Sequence, residues 1–421
     1  MKNSGIEWIG EIPEDWEVVY LSSIFDEHKR KNTGLICKNL LSLSYGKIKR
    51  KDINATDGLL PESFEGYNII EKGDIVLRLT DLQNDQRSLR TGIAQETGLI
   101  TSAYTTIRCL PRIASPQYMH YYLHSFDTSK GFYGMGDGVR QGLNFDGIKK
   151  IFMLLPPIAK QQRIADYLDK KCAAVDRLME NQRLQIEKLK EYKQSVITEA
   201  VTKGLDKTVP LKPSGVEWIG DIPEGWNKAQ IKYLFMIRTG GTLSKAGNIN
   251  YYSTNDGLLW IKPDDLKEFV PITETKEYIN DLGIKEIIAF PQGTLFVCCI
   301  GSIGKIGFTN RVSYCNQQIN GLIAKEVIYN RFGLYALYAQ EKQHWYYSNG
   351  NVIKILNANN HKRVVIAVPP LSEQQQIAEY LDKKCAEIDG LISIKQQKIE
   401  KLTEYKKSLI YEYVTGKKQV G

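Results

Sequence analysis

The sequence lacks the features that place a chain in a membrane or in an oxidising compartment. It has no apolar run approaching the roughly 20 residues that a bilayer-spanning helix needs, and no basic, apolar and small-residue pattern of a secretory segment at its start. Its seven cysteines are an odd number and include no C-x-x-C pair, so neither a disulfide framework nor a zinc site is expected. We therefore expect a cytoplasmic protein whose thiols are reduced and mostly buried.

The sequence also lacks the motifs of common enzymes that act on nucleotides. It has no G-x-G-x-x-G after a predicted strand, no G-x-x-x-x-G-K-[ST] phosphate loop and no N/D-P-P-Y/F motif of amino-methyltransferases. The stretch GSIGKIG at 301–307 has neither the spacing nor the Ser or Thr of a phosphate loop. None of the five histidines stands with a Cys or Ser in a nucleophile motif. We expect no catalytic residue and no metal site.

One short string is spelled like the metal site of many nucleases. Pro263-Asp264 followed by Glu274 and Lys276 matches PD...E-x-K, in which two carboxylates hold a divalent cation. The string is short and its letters are common, so chance spelling on a polar loop is the favoured interpretation. A stand-alone endonuclease that uses these residues is the weaker alternative.

A moderate excess of positive charge is present. The 56 Lys and Arg against 48 Asp and Glu give a net charge of +8 and an isoelectric point near 8.8. Basic side chains that neutralise phosphates gain free energy from counterion release, so this balance is compatible with binding nucleic acid. Many basic proteins bind none, and the charge alone does not decide the question.

Two stretches of the chain occur twice. Residues 4–16 read SGIEWIGEIPEDW and residues 214–226 read SGVEWIGDIPEGW, an offset of 210 positions. Residues 156–178 read PPIAKQQRIADYLDKKCAAVDRL and residues 369–391 read PPLSEQQQIAEYLDKKCAEIDGL, an offset of 213. Between these stretches the halves hardly match. The sequence therefore predicts two copies of one frame, each with a different insert.

The second repeated stretch predicts a long helix in each copy. Apolar residues recur at steps of three, four or seven from Ile164 to Ala200, and again from Ile377 to Leu409. Gly204 and Gly416 lie where glycine commonly ends a helix. A helix of on the order of 40 residues with a narrow apolar stripe needs a partner. We expect the two helices to pair antiparallel as a coiled coil; the alternative is that each packs only on its own domain.

These patterns together predict an α+β fold. It consists of two mixed α/β recognition domains joined by two long antiparallel helices, with a pseudo-twofold internal repeat. The expected boundaries are 1–155 for the first domain, 156–205 for the central helix, 206–368 for the second domain and 369–421 for the C-terminal helix.

The order of variable domain, PP-x-x-x-QQ-x-IA-x-YLD helix, variable domain and the same helix resembles the specificity (S) subunit of a type I restriction-modification system. The EWIG-x-IP-x-W openings match that family as well. The resemblance implies a non-catalytic DNA reader with two target-recognition domains, each reading one half of a bipartite, asymmetric site in double-stranded DNA. A coiled-coil scaffold for protein interactions is the principal alternative.

The resemblance also implies partner subunits. The long helices would dock two methyltransferase (modification) subunits and fix the spacing of the half-sites, and two nuclease-translocase (restriction) subunits could join. This chain would bind no cofactor, while S-adenosylmethionine, ATP and Mg are expected on the partners. The candidate docking residues are Ile164, Leu168, Cys172, Val175, Ile186, Leu189, Ile377, Leu381, Cys385, Ile388, Ile399 and Leu402.

In the first domain, two predicted strands at 75–79 and 104–110 flank the polar segment 80–92. Arg pairs with guanine, Asn or Gln with adenine, and Asp with the cytosine amine in the major groove, and loops on a strand scaffold commonly carry binding residues. A solvated loop without function is the alternative. The candidate DNA contacts are Arg78, Asp81, Gln83, Asn84, Arg87 and Arg90.

In the second domain, a predicted buried strand at 294–300 leads into GSIGKIG, whose glycines would let the backbone approach a phosphate beside Lys305. The amides that follow suit adenine, but amides also brace turns. Residues 138–144 align with 351–357, and their shared Leu-Asn is expected to be structural. The candidate contacts are Ser302, Lys305, Arg311, Asn316, Gln317, Gln318 and Lys354, with Arg140 and Gln141 in the first domain.

Overall fold

A computed structural model describes residues 1–54, 61, 63–82, 89–110, 112–133, 135, 142–243, 251–253 and 257–420. The chain divides into two compact units. The first unit contains Met1–Arg183 and Gln396–Gly421, and the second contains Leu184–Lys395. Among the described helices, none is long and apolar enough to cross a membrane.

The described part of the first unit contains short strands, two short α-helices and parts of both long helices. Its strands are Lys2–Asn3, Glu11–Ile12, Glu17–Tyr20, Phe25–Glu27, Leu41–Ser44, Lys47–Arg50, Asn68–Ile70, Ile75–Leu77, Thr91–Ile93, Gly98–Ile100, Thr105–Cys109 and Phe152–Leu155. Its short α-helices are Pro116–Thr128 and Phe145–Ile148, and its 3-10 turns are Leu21–Ser23 and Thr33–Leu35.

The second unit has the same kinds of element. Its strands are Leu211–Pro213, Asp221–Pro223, Asn227–Gln230, Phe235–Thr239, Tyr252–Ser253, Leu258–Ile261, Tyr278–Ile279, Leu295–Cys298, Ile306–Phe308, Tyr314–Cys315, Ile319–Ala324 and Val365–Val368. Its short α-helices are Ile231–Leu234, Asn330–Tyr338, Glu341–Tyr346 and Ala358–His361, and its 3-10 turns are Pro263–Asp265 and Gly283–Glu286.

Each unit contains an antiparallel four-stranded sheet of the same topology. In the first unit the order across the sheet is Phe25–Glu27, Thr105–Cys109, Ile75–Leu77 and Thr91–Ile93. In the second unit it is Phe235–Thr239, Ile319–Ala324, Leu295–Cys298 and Ile306–Phe308. The strands predicted at 75–79, 104–110 and 294–300 all exist and are slightly shorter than predicted. Two further two-stranded sheets also correspond between the units, while the sheets formed by Leu41–Ser44, Lys47–Arg50, Asn68–Ile70 and Gly98–Ile100 in the first unit differ from the sheet formed by Tyr252–Ser253, Leu258–Ile261, Tyr278–Ile279 and Tyr314–Cys315 in the second.

The shared Leu-Asn has the structural role that the alignment predicts. The Asn144 side chain accepts from the Gly147 N–H and caps a one-turn helix, and Asn357 accepts from the Asn360 N–H in the same way. Each helical turn leads into a final strand, which pairs antiparallel with a strand that follows the repeated Trp opening. The frame is therefore closed by the same local contact in both units.

Both predicted long helices are present, at Ile158–Lys203 and Leu371–Val414, with 46 and 44 residues. Each runs from one unit into the other. In the first unit, buried residues from Ile164 to Cys172 and from Leu409 to Val414 share one apolar core. In the second unit, residues from Ile197 to Val201 and from Ile377 to Cys385 share another. The expected α+β class with an internal repeat is confirmed.

The helical segments run antiparallel in each unit and make the same ion pair twice. In the first unit Lys406 Nζ lies 2.6 Å from Asp176, and in the second Lys193 Nζ lies 2.8 Å from Asp389. Both residues of the second pair lie 213 positions from their counterparts in the first. Burial raises the pKa of Asp176, but the hydrogen bonds and charges of Lys406 and Lys47 together outweigh burial, so the pKa of Asp176 is lowered.

The two repeated motifs meet where each long helix ends. Gly204 and Gly416 follow the two helices with φ of +69° and +73°, the left-handed geometry that ends helices. A Cβ on Gly204 would lie 3.1 Å from the Trp226 ring, and one on Gly416 would lie 3.2 Å from the Trp16 ring. Both tryptophans are buried. Each Trp opening therefore packs against the C-terminal end of a long helix. This contact explains why the Trp opening and the helix motif recur together.

All seven cysteines lie in the described part of the chain, and all are free. Six are buried and Cys37 is partly exposed. Burial raises the pKa of the equivalent Cys172 and Cys385 thiols, which keeps them protonated and unreactive. The expectation of mostly buried thiols is confirmed.

Candidate nucleic-acid interface

The two loops that the sequence singles out are equivalent connections in the two sheets. The first hairpin loop, residues 78–90, joins the last two strands of the four-stranded sheet in the first unit. The second hairpin loop, residues 299–305, joins the corresponding strands in the second unit. The loops differ in length and sequence on a common scaffold. This is the arrangement expected of two sites that bind different ligand sequences.

Arg90 ends the first hairpin loop and is fully buried. Its guanidinium donates to the backbone carbonyls of Arg78, Thr80 and Asp81 at 3.1, 2.8 and 3.2 Å. Its backbone N–H donates to Asp127 at 2.6 Å. The expectation that Arg90 contacts DNA is therefore corrected. The Arg90 side chain has no exposed surface, and its bonds to three carbonyls hold the backbone of the loop in place.

The other candidates of the first domain differ in what the structure describes of them. Arg78 and Asp81 are partly exposed on the loop that Arg90 holds, and Asp81 has a left-handed φ of +56°. A non-glycine residue in that geometry is uncommon. Both remain predicted DNA contacts. The candidates Gln83, Asn84, Arg87, Arg140 and Gln141 lie outside the described residues.

The second hairpin loop depends on two glycines. Gly301 and Gly304 have φ of +81° and +88°, and a Cβ on Gly304 would lie 3.1 Å from His344 Nδ1. Exposed Ser302 lies between them, and its carbonyl accepts from the Lys305 N–H. The ammonium of Lys305 donates to the Pro263 carbonyl at 2.7 Å. Lys305 directly precedes the second hairpin strand, as Arg90 does in the first unit, and both cations donate to backbone carbonyls.

The three candidate amides divide by burial. Asn316 is buried, accepts from the Gln318 N–H at 3.1 Å and donates to the Gln318 side chain at 2.9 Å. It therefore braces its own turn, and its predicted adenine contact is corrected. Gln317 is exposed and Gln318 is partly exposed. Their carbonyls accept from Cys299, which places this turn against the second hairpin loop.

A third segment joins the same place. Ile300 and Ile355 form a β-bridge, and the Leu356 N–H donates to the Cys299 carbonyl at 2.8 Å. Lys354 is exposed on this segment, two residues from Val352, whose side chain is 97% exposed. The structure thus brings the candidates Ser302, Gln317 and Lys354 to one end of one sheet. Arg311 is exposed elsewhere and donates to the Thr273 carbonyl at 3.1 Å.

Most of the residues predicted to dock partner subunits are not available on the surface. Ten are buried between the helices or in the two cores, namely Ile164, Leu168, Cys172, Val175, Ile186, Ile377, Leu381, Cys385, Ile388 and Ile399. Leu189 and Leu402, which are 213 positions apart, are partly buried. This prediction is corrected, because the apolar stripe packs against the chain itself. A docking face on the helices must use other residues.

The nuclease-like string does not assemble a metal site. Asp264 pairs with Lys276 at 2.9 Å, while Glu274 lies 3.8 Å from Lys267. Both carboxylates are about three-quarters exposed. Across the described ranges, no group of three or more His, Cys, Asp or Glu side chains is placed to hold a metal ion. The geometry gives the endonuclease alternative no support.

A basic hairpin of the first unit was not singled out from the sequence. It consists of the paired strands Leu41–Ser44 and Lys47–Arg50 joined by Tyr45-Gly46. Its signal is the string KNLLSLSYGKIKRK at 38–51, which has five Lys or Arg and no Asp or Glu. Each strand has four residues, and only one of the two alternates regularly between apolar and polar residues. Periodicity alone therefore does not predict the hairpin.

Comparison with known proteins finds similar sequences. Residues 223–404 match the family described as the type I restriction modification DNA specificity domain. Two Methanocaldococcus jannaschii proteins are similar over nearly their whole lengths. The one named as the MjaX type I restriction enzyme specificity subunit is 26% identical, covering 98% of this chain and 96% of its own. The MjaVIII specificity subunit is 25% identical, covering 97% and 94%.

A solved structure shares the fold. One chain from a structure concerned with complex assembly and conformational transition of the type I R-M system has a TM-score of 0.72 and 14% identity, covering 96% of this chain and 98% of that chain. A likeness at this identity concerns the fold alone. The family match and the full-length similarity to two specificity subunits confirm the resemblance of this chain to the specificity (S) subunits of type I restriction-modification systems.

Proposed function

We propose that the chain is the sequence-specific, non-catalytic DNA-binding subunit of its restriction-modification complex, and that each unit reads one half of a bipartite, asymmetric site in double-stranded DNA. The observation that carries this proposal is the pair of equivalent hairpin loops. Two sheets of one topology present loops of different length and sequence at the same connection. Such a pair suits one protein that reads two unlike sequences with one docking geometry.

The partners in this proposal are two methyltransferase subunits and two nuclease-translocase subunits, which would bind S-adenosylmethionine, ATP and Mg. Because the apolar stripe is buried, the outer faces of the helices are the better docking surface. Leu178 and Leu391 are 50% and 48% exposed, and Tyr192 and Tyr405 are 56% and 52% exposed. Each pair is related by the 213 offset. Two identical subunits would meet the same two side chains in both units.

The first test is genome-wide sequencing of modified bases in cells that carry the chain with its methyltransferase subunit, compared with cells that carry the methyltransferase alone. We expect a motif of two short blocks only when the chain is present. If the complex assembles and modifies DNA without any chain-dependent motif, the proposed function is wrong.

A further inference from the structure

The basic hairpin has one apolar face and one polar face. Leu41 is buried, and Leu43 and Ile48 pack against the same cluster of buried residues. The opposite face carries Ser42 and Ser44 on one strand. Lys49 and Lys47 lie directly across from them on the other strand. Two hydroxyls and two ammonium groups therefore project from one side of a two-stranded ribbon.

Some of the hairpin's positive charge has carboxylate partners and some does not. Lys47 lies 3.3 Å from Asp176, and Arg50 bonds Glu96 through Nε at 2.7 Å. Within the described ranges no ion pair involves Lys49 or Lys51, and both are exposed. On the polar face, Lys47 is therefore paired with a carboxylate, whereas the exposed ammonium group of Lys49 has no ion pair among the described residues and lies across from the Ser42 hydroxyl.

The tip of the hairpin holds an aromatic side chain in an unfavourable geometry. Tyr45 has a φ of +47° and is 78% exposed, and Gly46 has a φ of +74°. Two-residue turns with two positive φ angles favour Asn-Gly or Gly-Gly, and a bulky residue in the first place is an outlier. Packing within the protein does not explain an exposed tyrosine there. Strained residues of this kind are often associated with function.

The hairpin lies beside the first hairpin loop. A Cβ on Gly46 would lie 3.1 Å from Leu89 Cβ, and one on Gly92 would lie 2.5 Å from the Leu43 side chain. Leu89 belongs to the loop and Gly92 to the strand that follows it. Any molecule that contacts the loop from the side of Leu89 therefore comes close to the Tyr45-Gly46 tip.

We propose that the basic hairpin anchors the first unit on the sugar-phosphate backbone of duplex DNA beside the bases read by the first hairpin loop. Lys49 neutralises a phosphate, the Ser42 and Ser44 hydroxyls donate to its oxygens, and the Tyr45 hydroxyl donates to a neighbouring phosphate. This inference rests on the proposed DNA reading. Phosphate contacts fix register but carry no sequence information, so the hairpin contributes affinity equally on all sequences.

The test measures dissociation constants of the complex with its methyltransferase subunits as a function of salt concentration. The probes are a duplex with the motif found by sequencing and a duplex with both blocks altered. Lys49→Gln is expected to reduce the slope of log K against log salt by about 0.9 on both duplexes. Tyr45→Phe, which removes only the hydroxyl, is expected to weaken binding about tenfold on both.

The matched control is Lys72→Gln. Lys72 is exposed in the same unit but lies before Ile75–Leu77, at the end of that strand away from the loop. The Lys72→Gln substitution removes one charge outside the hairpin. The slope of log K against log salt for this variant should equal that of the parent. If Lys49→Gln behaves like Lys72→Gln while the parent still prefers the motif duplex, the inference is wrong. If the parent shows no preference between the duplexes, the proposed function itself fails.

Discussion

Arg90 shows how a residue type that is suited to contacting DNA can instead stabilise the conformation of a loop. Its guanidinium holds three carbonyls of the first hairpin loop, and Tyr133 lies over it with the ring centre 4.8 Å from Cζ. One of these carbonyls belongs to Asp81, whose left-handed backbone needs such support. Arg90 is therefore a positioning residue for the side chains that precede it.

Arg90→Lys tests this role. A lysine keeps the charge, but its three N–H donors all radiate from one nitrogen and cannot reproduce the planar fork with which the guanidinium reaches three carbonyls. We expect the free energy of unfolding of the chain to fall by about 2 kcal/mol. We also expect sequencing of modified bases to show relaxed base choice in one block of the motif while the other block stays strict. Unchanged strictness in both blocks would count against a positioning role.

The candidate site could be located from the sequence, but the role of each residue could not. Polar residues after predicted strands led to both hairpin loops. The side chains of Arg90 and Asn316, however, form bonds within the protein, while Gln317, next to Asn316, is exposed. Arginine and amide side chains serve carbonyls, backbone amides and base edges with the same donor and acceptor groups. Only the fold decides which partner is present.

Two of the five histidines, His344 and His361, are buried, and they face each other in the second unit. The rings of His344 and His361 are 5.1 Å apart, centre to centre. Burial lowers the pKa of His344 to about 4, and burial followed by the charge of His344 lowers the pKa of His361. Both residues are therefore neutral at pH 7, and His361 Nδ1 lies 3.2 Å from the Asn320 amide nitrogen.

This burial predicts loss of stability in mild acid. The folded pKa of His344 is below its unfolded value of 6.5, so the unfolded state takes up protons first as the pH falls through that value. Its contribution is complete above pH 6.5 and declines between 6.5 and about 4, by about 2 kcal/mol at pH 5. His344→Phe should reduce the fall in unfolding midpoint between pH 7 and pH 5, measured by denaturant titration. An equal fall in both proteins would contradict the prediction.

At the scale of elements, the first Gln of each QQ motif joins a long helix to the rest of its unit. Gln161 accepts from the Ser115 N–H at 2.8 Å and donates to the Pro156 carbonyl at 2.7 Å. Gln374 accepts from the Tyr329 N–H at 2.7 Å and donates to the Pro369 carbonyl at 2.9 Å. Both glutamines are buried. This contact explains why the motif recurs beside each Pro-Pro.

Gln374→Ala is expected to lower the free energy of unfolding by about 2 to 4 kcal/mol, because it leaves the part-buried Tyr329 N–H and the buried Pro369 carbonyl without the partners they have in the parent. The matched control is Gln375→Ala, whose side chain is exposed and whose loss should cost less than about 0.5 kcal/mol. Urea unfolding of both variants measures the difference. Equal midpoints for the two variants would show that the buried contact contributes nothing.

Elements with strong periodicity could be predicted from the sequence. A 3.6-residue pattern over ten turns predicts a helix whatever its surroundings, and both long helices are present. The basic hairpin was missed because its strands have four residues each and Arg50 faces the apolar side beside Leu41. The helical periodicity also could not show that the apolar stripe of the long helices is buried within the chain itself. A stripe that is buried against a partner subunit would have the same apolar residues.

At the scale of the whole molecule, the repeat consists of a frame and two inserts. The frame makes the same contacts in both units, whereas the inserts differ between the units. The frame comprises the Trp openings, the glutamine contacts, the capped turns before the last strands and the twice-made ion pair. Each of these joins parts of one unit. The residues proposed to read DNA lie outside this frame, so each insert can change without disturbing the other.

This separation predicts that specificity can be transferred by exchanging one insert. Replacing residues 17–155 with those of another family member keeps the first Trp opening and the helix that begins at Ile158. We expect the modified motif to change in one block and to keep the other block and the spacer, as measured by sequencing of modified bases. The matched exchange of 227–368 should change the other block. If either exchange alters both blocks, the two units do not read DNA independently. The shared frame would then couple the base preference of one unit to the sequence of the other insert.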